Sequence, residues 1–393
     1  MMRVLGAVLT AHYLAAFTAL GMPVFMPSVL AQLAPGTPDW LAGTLYVLPT
    51  ICTALTATGW GRLADRYGRK LSLMRAQVGL AFGFMLAGCA PNLMVFVVAL
   101  IIQGSCGGSL AAANAYLSTQ SKGPALARAL DWTQFSARLA MLTAPILLGV
   151  AIDRGLAQSL YGYLSLLPLL GLVITSRLPP DTVETHTQHS PGRSMAQSAN
   201  SIHRELWGLL TVQFLYYFAV VVTFPYFILY CRNLGITSDS MAGLIYSLPH
   251  LVYLLILPWQ RSNSLMPQRL LLLGLGLLAC TSLMQAMLTH TALLAPVRVF
   301  YGVGMTLAIC GLNRALSHCA ANAPAGRLFG LFDSCGKWAG ALGGIVAGAL
   351  VHRYGLAMPF FAAALAGAIA LTAATLVFYS GKQRQPYVAA GDA

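Results

Sequence analysis

Twelve stretches of about twenty or more mainly apolar residues follow one another along this chain, at roughly 4–33, 38–60, 71–90, 92–118, 126–152, 157–176, 205–231, 239–259, 268–288, 292–316, 327–351 and 357–380. Each is long enough to cross a hydrocarbon layer of about 30 Å as an α-helix. Lipid offers no partner to a free backbone N–H or C=O, so runs of this length cross it as helices. A soluble fold has nowhere to put them: 58% of the 393 residues are hydrophobic and 8% are charged, against about 25% charged in an ordinary soluble domain. The expectation is an all-α membrane protein with twelve transmembrane helices. The first run is too long for a secretory leader, and no convincing cleavage site follows it.

The 23 Lys and Arg against 10 Asp and Glu, a formal charge of +13, invite a nucleic-acid reading that fails once the charges are placed. With a cytoplasmic N-terminus, that side receives Arg3, Arg62, Arg66, Arg69, Lys70, Arg75, Lys122, Arg128, Arg177, Arg193, Arg204, Arg261, Arg269, Arg314, Arg327, Lys382 and Arg384. The other side or outer helix ends keep Arg154, Arg232, Arg298 and Arg353. The surplus is therefore mainly a positive-inside signal, with both termini cytoplasmic in a multi-pass inner-membrane protein. Lipid is the expected surrounding, nucleic acid is not a partner, and a monomer is expected.

The longest polar stretch, Arg177 to Arg204, holds Pro179, Pro180 and three histidines. It divides the chain into a first bundle over 1–176, a cytoplasmic linker over 177–204 and a second bundle over 205–393. His186 and His189 have no Cys or further acids around them, so a solvated linker fits better than a metal site. The eight cysteines form no CxxC and read as small fillers of helix packing. No cofactor or metal is expected.

The two halves repeat each other. AGTLYVLP, Ala42 to Pro49, recurs 200 residues later as AGLIYSLP, Ala242 to Pro249; Arg69 matches Arg269. At an offset of 199, Arg128 falls on Arg327, Arg138 on Lys337, Gly149 on Gly348 and Arg154 on Arg353. Near-constant offsets mean parallel repeats of six helices, which build two pseudo-symmetric bundles with a cavity between them.

With these features the chain resembles the major facilitator superfamily. GRLADRYGRK, Gly61 to Lys70, between the second and third helices, is similar to that family's loop signature G-x-L-A-D-R-x-G-R-K. Read physically, Gly61 and Gly68 permit tight turns, and Asp65 is an anion among Arg62, Arg66, Arg69 and Lys70 that can cap a helix start or pair with a neighbouring helix. The resemblance implies that Asp65, with Arg66 and Arg69, latches the cytoplasmic side shut in the outward-open state. The second half departs from the pattern, with Leu265 opposite Asp65, so any latch is asymmetric. Two other signatures are altered. The fourth helix has LIIQGSCGG, Leu100 to Gly108, with Leu100 where drug-antiporter relatives carry arginine, while the tenth keeps that shape as RVFYGVG, Arg298 to Gly304. The fifth has APILLG, Ala144 to Gly149, where the antiporter signature is G-P-x-x-G-G.

Arg138 lies ten residues beyond Arg128, about 15 Å along the helix, and Lys337 lies ten beyond Arg327. Both reach the bilayer midplane, where a cation costs at least about 2.5–3.5 kcal/mol and normally faces a cavity or a partner. Arg298 adds a third embedded cation. Asp333 precedes Lys337 by four residues and can pair with it, whereas Asp131 is placed to be held by Arg128, leaving Arg138 without an obvious acid. Two or three cations with few acids suit an anionic substrate, and arginine binds carboxylates bidentately. Tyr13, Tyr216, Tyr217, Tyr226, Tyr230, Asn114 and Asn313 can add polar contacts, though each also reads as packing.

The chain has no G-x-x-x-x-G-K-[ST] loop, and no HExxH, GxSxG or clustered carboxylate pair, so neither ATP drive nor an enzyme is expected. Protonation is the default that the resemblance implies. Its candidates are Asp333, Asp131, His250 and His12, with Asp333–Lys337 able to take a proton when substrate competes for Lys337. The expected function is proton-coupled export of a small hydrophilic organic anion by alternating access, most concretely a citrate-type hydroxycarboxylate siderophore. Multidrug antiport and import of such an anion are the alternatives.

Overall fold

The structure, a computed structural model, describes residues 2–38, 40–181, 199–262, 266–320 and 325–382. Eleven helices are long and apolar enough to cross a membrane, and a twelfth apolar stretch, Leu206–Val221, is shorter. The crossing segments are α1 (Met2–Leu33), α2 (Trp40–Tyr67), α3 (Arg69–Gly88), α4 (Leu93–Gln120), α5 (Gly123–Asp153), α6 (Ser159–Ser176), α7 (Ala199–Val221, continued by Phe227–Asn233), α8 (Asp239–Ser262), α9 (Pro267–Ala286), α10 (Leu294–Ala320), α11 (Ala325–Tyr354) and α12 (Met358–Lys382). No strand occurs among the described residues. His186, His189 and most of the expected linker lie outside them.

Packing repeats with the sequence. In the first half α1 packs on α5 and α6, and α4 on α2 and α3; in the second, α7 packs on α11 and α12, and α10 on α8 and α9. The halves meet along α5–α8 and α2–α11. The repeated motifs sit on this seam. A Cβ on Gly43 would lie 2.4 Å from the Gly344 carbonyl, and one on Gly243 would lie 2.2 Å from that of Pro145. Gly149 meets Asp239 and Ser240 in the same way, and Gly348 meets Trp40. Lipid is as apolar as a leucine side chain, so helices associate here through close backbone approach rather than through hydrophobic burial.

These approaches lie toward the end of the molecule away from the termini, called here the far end. A polar network completes the closure. Asp153, the last residue of α5, accepts from the N–H groups of Asp239 at 2.6 Å and Ser240 at 3.0 Å, and from the Ser238 hydroxyl at 2.9 Å. A carboxylate of one half thus caps a helix of the other. Asp239 in turn is gripped by Arg232 at 2.6 and 2.7 Å, and Ser28 of α1 donates to it at 3.3 Å. Tyr226 of the second half accepts the N–H of Gly43 at 2.9 Å, in the first turn of α2.

The first half carries two breaks. α1 passes through a 3₁₀ turn, Met22–Phe25, at Pro23, and α7 is interrupted near Pro225 at the equivalent place. α4 breaks at Cys106 to Gly108, where Gly108 has φ 89°. Thr53 serves the Gly104 carbonyl at 2.9 Å, and Thr56 and Trp60 serve that of Ser105 at 3.1 and 2.5 Å. Arg75 takes the Cys106 and Gly107 carbonyls at 2.7 and 3.0 Å, its guanidinium 3.9 Å above the Trp60 ring. Arg75, counted above with the topology cations, here replaces the bonds that the broken helix lost.

The signature Gly61 to Lys70 is mostly helix, because α2 runs on to Tyr67. Gly61 lies inside α2 with nothing within 4 Å of a would-be Cβ, so it makes no turn. The turn is at Gly68, with φ 102°. Asp65 does not cap α3 either: it is 73% exposed and lies 3.8 Å from Arg69. The cap is Asp181, after α6, which accepts the N–H of Arg69. Arg69 also donates to Ser118 of α4 at 2.6 Å, and Lys70 to the carbonyls of Ser176 and Leu178 at 2.8 and 2.5 Å. Anion at a helix start and cation at a helix end both follow the helix dipole. The basic pair therefore ties α3 to α4 and α6 within one half. Arg66 lies over the Tyr67 ring at 5.4 Å, and among the described residues no carboxylate holds it.

Candidate substrate cavity

A cavity of about 300 Å³ lies between the halves at mid-depth. α2 gives it Tyr46 and Thr50; α5 gives Gln134, Arg138 and Met141; α7 gives Tyr216, Tyr217 and Phe224; α11 gives Phe332, Asp333 and Lys337. The two midplane cations at equivalent repeat positions thus face one space. The glycines Gly336 and Gly340 keep α11 slim here, and a Cβ on Gly336 would stand 3.1 Å from the Tyr217 ring.

The cations differ in their surroundings. Lys337 is paired with Asp333 at 2.6 Å, as the four-residue spacing predicts, with Asp333 64% exposed. Arg138 meets no carboxylate within 4.0 Å among the described residues. Its Nη1 lies 3.3 Å from Nδ1 of His250, and its guanidinium lies 4.6 Å over the Tyr253 ring. Both partners belong to α8 of the other half. A guanidinium only donates, so Nδ1 of His250 accepts and the ring proton sits on Nε2. A second proton would remove that acceptor and set two cations together. In this arrangement His250 is a neutral holder of Arg138.

Apart from Tyr216 and Tyr217, the other expected residues are set apart from this cavity. His12 is buried and bonds Ser136 at 3.1 Å, beside a cavity of about 210 Å³ in the first half. Tyr13 bonds Thr143 at 2.8 Å, and Asn114 accepts from Thr133 at 2.7 Å, so both tie α5 to its neighbours. Asn313 is exposed on α10, and Asp131 is exposed on α5 outside the cavity lining. Arg298 is fully buried inside the second half. Tyr216 lines the cavity with its ring, while its hydroxyl is spent on the Met305 carbonyl at 3.0 Å. Tyr226 and Tyr230 are buried, the latter donating to the Gln285 carbonyl. Sequence reasoning missed Tyr46, Phe224 and Tyr253 here, and Asp153 and Asp181 elsewhere. Two of them had a signal: Tyr46 lies in the repeated AGTLYVLP motif, and Asp153 precedes the repeat-matched Arg154.

Two six-helix bundles sealed together at one end, with a charged cavity at mid-depth between them, define a membrane transporter. The sequence profile of the Major Facilitator Superfamily matches residues 8–344. Among curated relatives, the multidrug resistance protein MdtG of Yersinia enterocolitica is 25% identical over 388 residues, covering 95% of this chain and 91% of that protein. MdtG of Rahnella sp. is 24% identical over 330 residues, covering 82% and 80%. Among solved structures, a POT family transporter in complex with 5-aminolevulinic acid superposes with a TM-score of 0.80 at 12% identity, covering 96% of each chain. A D-xylose-proton symporter gives 0.74 at 14% identity, covering 96% and 97%. The chain belongs to the major facilitator superfamily: it is a multi-pass membrane transporter of small molecules and not an enzyme.

Proposed function

We propose that this transporter exports small organic anions with an apolar body, by alternating access between the two halves. The observation that carries this reading is Arg138: a cation at mid-depth, facing the cavity and held by a neutral histidine rather than by an acid. Its two remaining N–H edges suit a carboxylate, and Lys337 stands across the same space. Tyr46, Tyr217, Phe224, Phe332 and Met141 give the cargo an aromatic and thioether bed. That lining favours a compact aromatic acid over a citrate-type siderophore, which no relative named above supports. A resistance role, brought from the MdtG relatives, requires outward movement, and a monovalent anion that carries one proton with it moves without net charge, so its outward flux follows the gradients of cargo and proton rather than the membrane potential.

The proton enters through Asp333. A cargo anion that displaces Asp333 from Lys337 leaves a carboxylate without its cation, and a proton then binds together with the cargo. Mutual exclusion does not follow from this pair when the cargo is an anion. A second reading has one observation in its favour. Asp333 is 64% exposed beside the aromatic lining, and a cationic drug bound there would exclude the proton, which is the exchange a multidrug antiporter needs.

Purified protein in sealed vesicles, loaded with radiolabelled salicylate, tests the first reading. Protein-dependent efflux of salicylate should be faster when the trans side is alkaline and should not respond to the membrane potential, and Arg138→Ala should abolish it at normal insertion. Cation flux alone, with no carboxylate flux in the unmodified protein, overturns it in favour of the second reading.

A further inference from the structure

Arg298 heads the described residues as the largest fully buried side chain. It lies one turn into α10, and three rings surround its guanidinium: Phe227 at 4.4 Å, Tyr301 at 4.8 Å and Tyr246 at 5.9 Å. One N–H is used, from Nη2 to the Tyr246 carbonyl at 3.0 Å. Nε and Nη1 are buried with no acceptor, and among the described residues no carboxylate lies within ion-pair distance of Arg298. Asp239, an acid of the same half, is already bound by Arg232. The hydroxyls of Tyr246 and Tyr301 are also buried; their hydroxyl neighbours are Tyr46 and Thr223, with neither pair in good hydrogen-bond geometry.

The cluster therefore has a full positive charge and a surplus of donors, and it lacks acceptors. The rings offset part of the charge through their faces, but N–H groups in the guanidinium plane need an acceptor at its edge. Water can satisfy a donor and leaves the charge uncompensated. The ligand that satisfies both is small, carries one negative charge and accepts from several donors while offering none. Among three surrounding rings, a monatomic anion asks for less room than a carboxylate with its organic body. The first half has buried Leu100 at the equivalent place in α4, so the feature belongs to the second half alone.

We propose that the second half binds one chloride-sized monovalent anion at Arg298, at an unsatisfied edge of the guanidinium among the Phe227, Tyr246 and Tyr301 rings; Nε and Nη1 open onto different edges, so the ion takes one of them and water the other. None of these four residues lines the central cavity, so the site stands independently of what the transporter carries. The ion neutralises the buried guanidinium and fixes the far-end piece of α7 against α8 and α10.

Equilibrium dialysis of the purified full chain with radiolabelled chloride tests this, beside thermal unfolding in sodium chloride and in sodium gluconate of equal ionic strength. Saturable binding of one chloride per chain is expected, displaced by bromide, with an unfolding midpoint a few degrees higher in chloride. Arg298→Met should bind no chloride and unfold at the same midpoint in both salts. Tyr301→Phe, which keeps the ring, should weaken chloride binding severalfold and guards against a misfolded arginine variant. Absence of saturable binding with equal midpoints in the unmodified protein overturns the proposal. So does unchanged chloride affinity in both variants.

Discussion

The Asp153 carboxylate, at the end of α5, accepts the N–H of Asp239 at 2.6 Å and so caps α8 across the boundary between the halves. A cap of this kind stabilises by about 1 kcal/mol, up to about 2, and here it does so only while the far end is closed. Asp153→Ala should therefore shift the balance toward far-end opening by roughly tenfold, since about 1.4 kcal/mol is a factor of ten. Spin labels at the far ends of α5 and α8 would report longer distances. An unchanged distance distribution would remove Asp153 from the gate.

The glycine seam makes a stricter prediction. Gly43→Leu or Gly243→Leu places atoms where a backbone carbonyl already lies within 2.4 Å of a Cβ, so the far end cannot close. Vesicle transport should fall more than tenfold with normal insertion. Gly276→Ala, whose Cβ meets only the Leu371 side chain at 3.9 Å, should transport as the unmodified chain does. Equal behaviour of Gly43→Leu and Gly276→Ala would refute the seam.

At the signature, stability and latching separate. Asp181→Ala removes the acceptor for the first N–H of α3 and should cost about 1 kcal/mol, seen as a lower unfolding midpoint. Asp65→Ala removes a carboxylate that is 73% exposed and should leave the midpoint almost unchanged while altering transport. A reversed order of the two midpoints would return the capping role to Asp65.

Arg138 and His250 act as a pair, so their variants should fail in a graded way. Arg138→Lys keeps charge and loses the fork, and is expected to raise the KM for salicylate at least tenfold. His250→Gln keeps an acceptor and should stay near the unmodified KM, whereas His250→Phe frees Arg138 from the other half and should not. Identical KM values for His250→Gln and His250→Phe would show that the contact does not position Arg138.

The sign of pH dependence identifies the charge of the cargo. An anion that takes Lys337 from Asp333 brings a proton with it, so its affinity should rise as pH falls. A cation held by Asp333 competes with the proton and should bind better as pH rises. Equilibrium binding of salicylate and of a cationic dye across pH, repeated in Asp333→Asn, measures the sign. Retention of either slope in Asp333→Asn would exclude Asp333 as the coupling group.

Much of this architecture was legible in the chain. Length and polarity predict the twelve helices, and the offset of 200 predicts that packing repeats, because equal sequences bury equal faces. Arg138 and Lys337 could be assigned equal depth from their shared distance to Arg128 and Arg327. The spacing of Asp333 and Lys337 predicts their pair, since four residues is one helical turn. The signature was misjudged because Gly61 is compatible with a turn and with a helix; only the continuing hydrogen bonds of α2 choose between them.

Sequence by itself thus determined what is local or periodic: helices, repeat, depth and the i,i+4 pair. Tertiary structure alone decided which groups meet across long separations. Asp181 caps a helix 112 residues earlier, Asp153 caps one 86 residues later, and Arg138 finds His250 rather than an acid. An embedded cation must find some partner, but its charge does not say which one. That choice depends on how α5 and α8 cross, a property of two packed surfaces rather than of either segment.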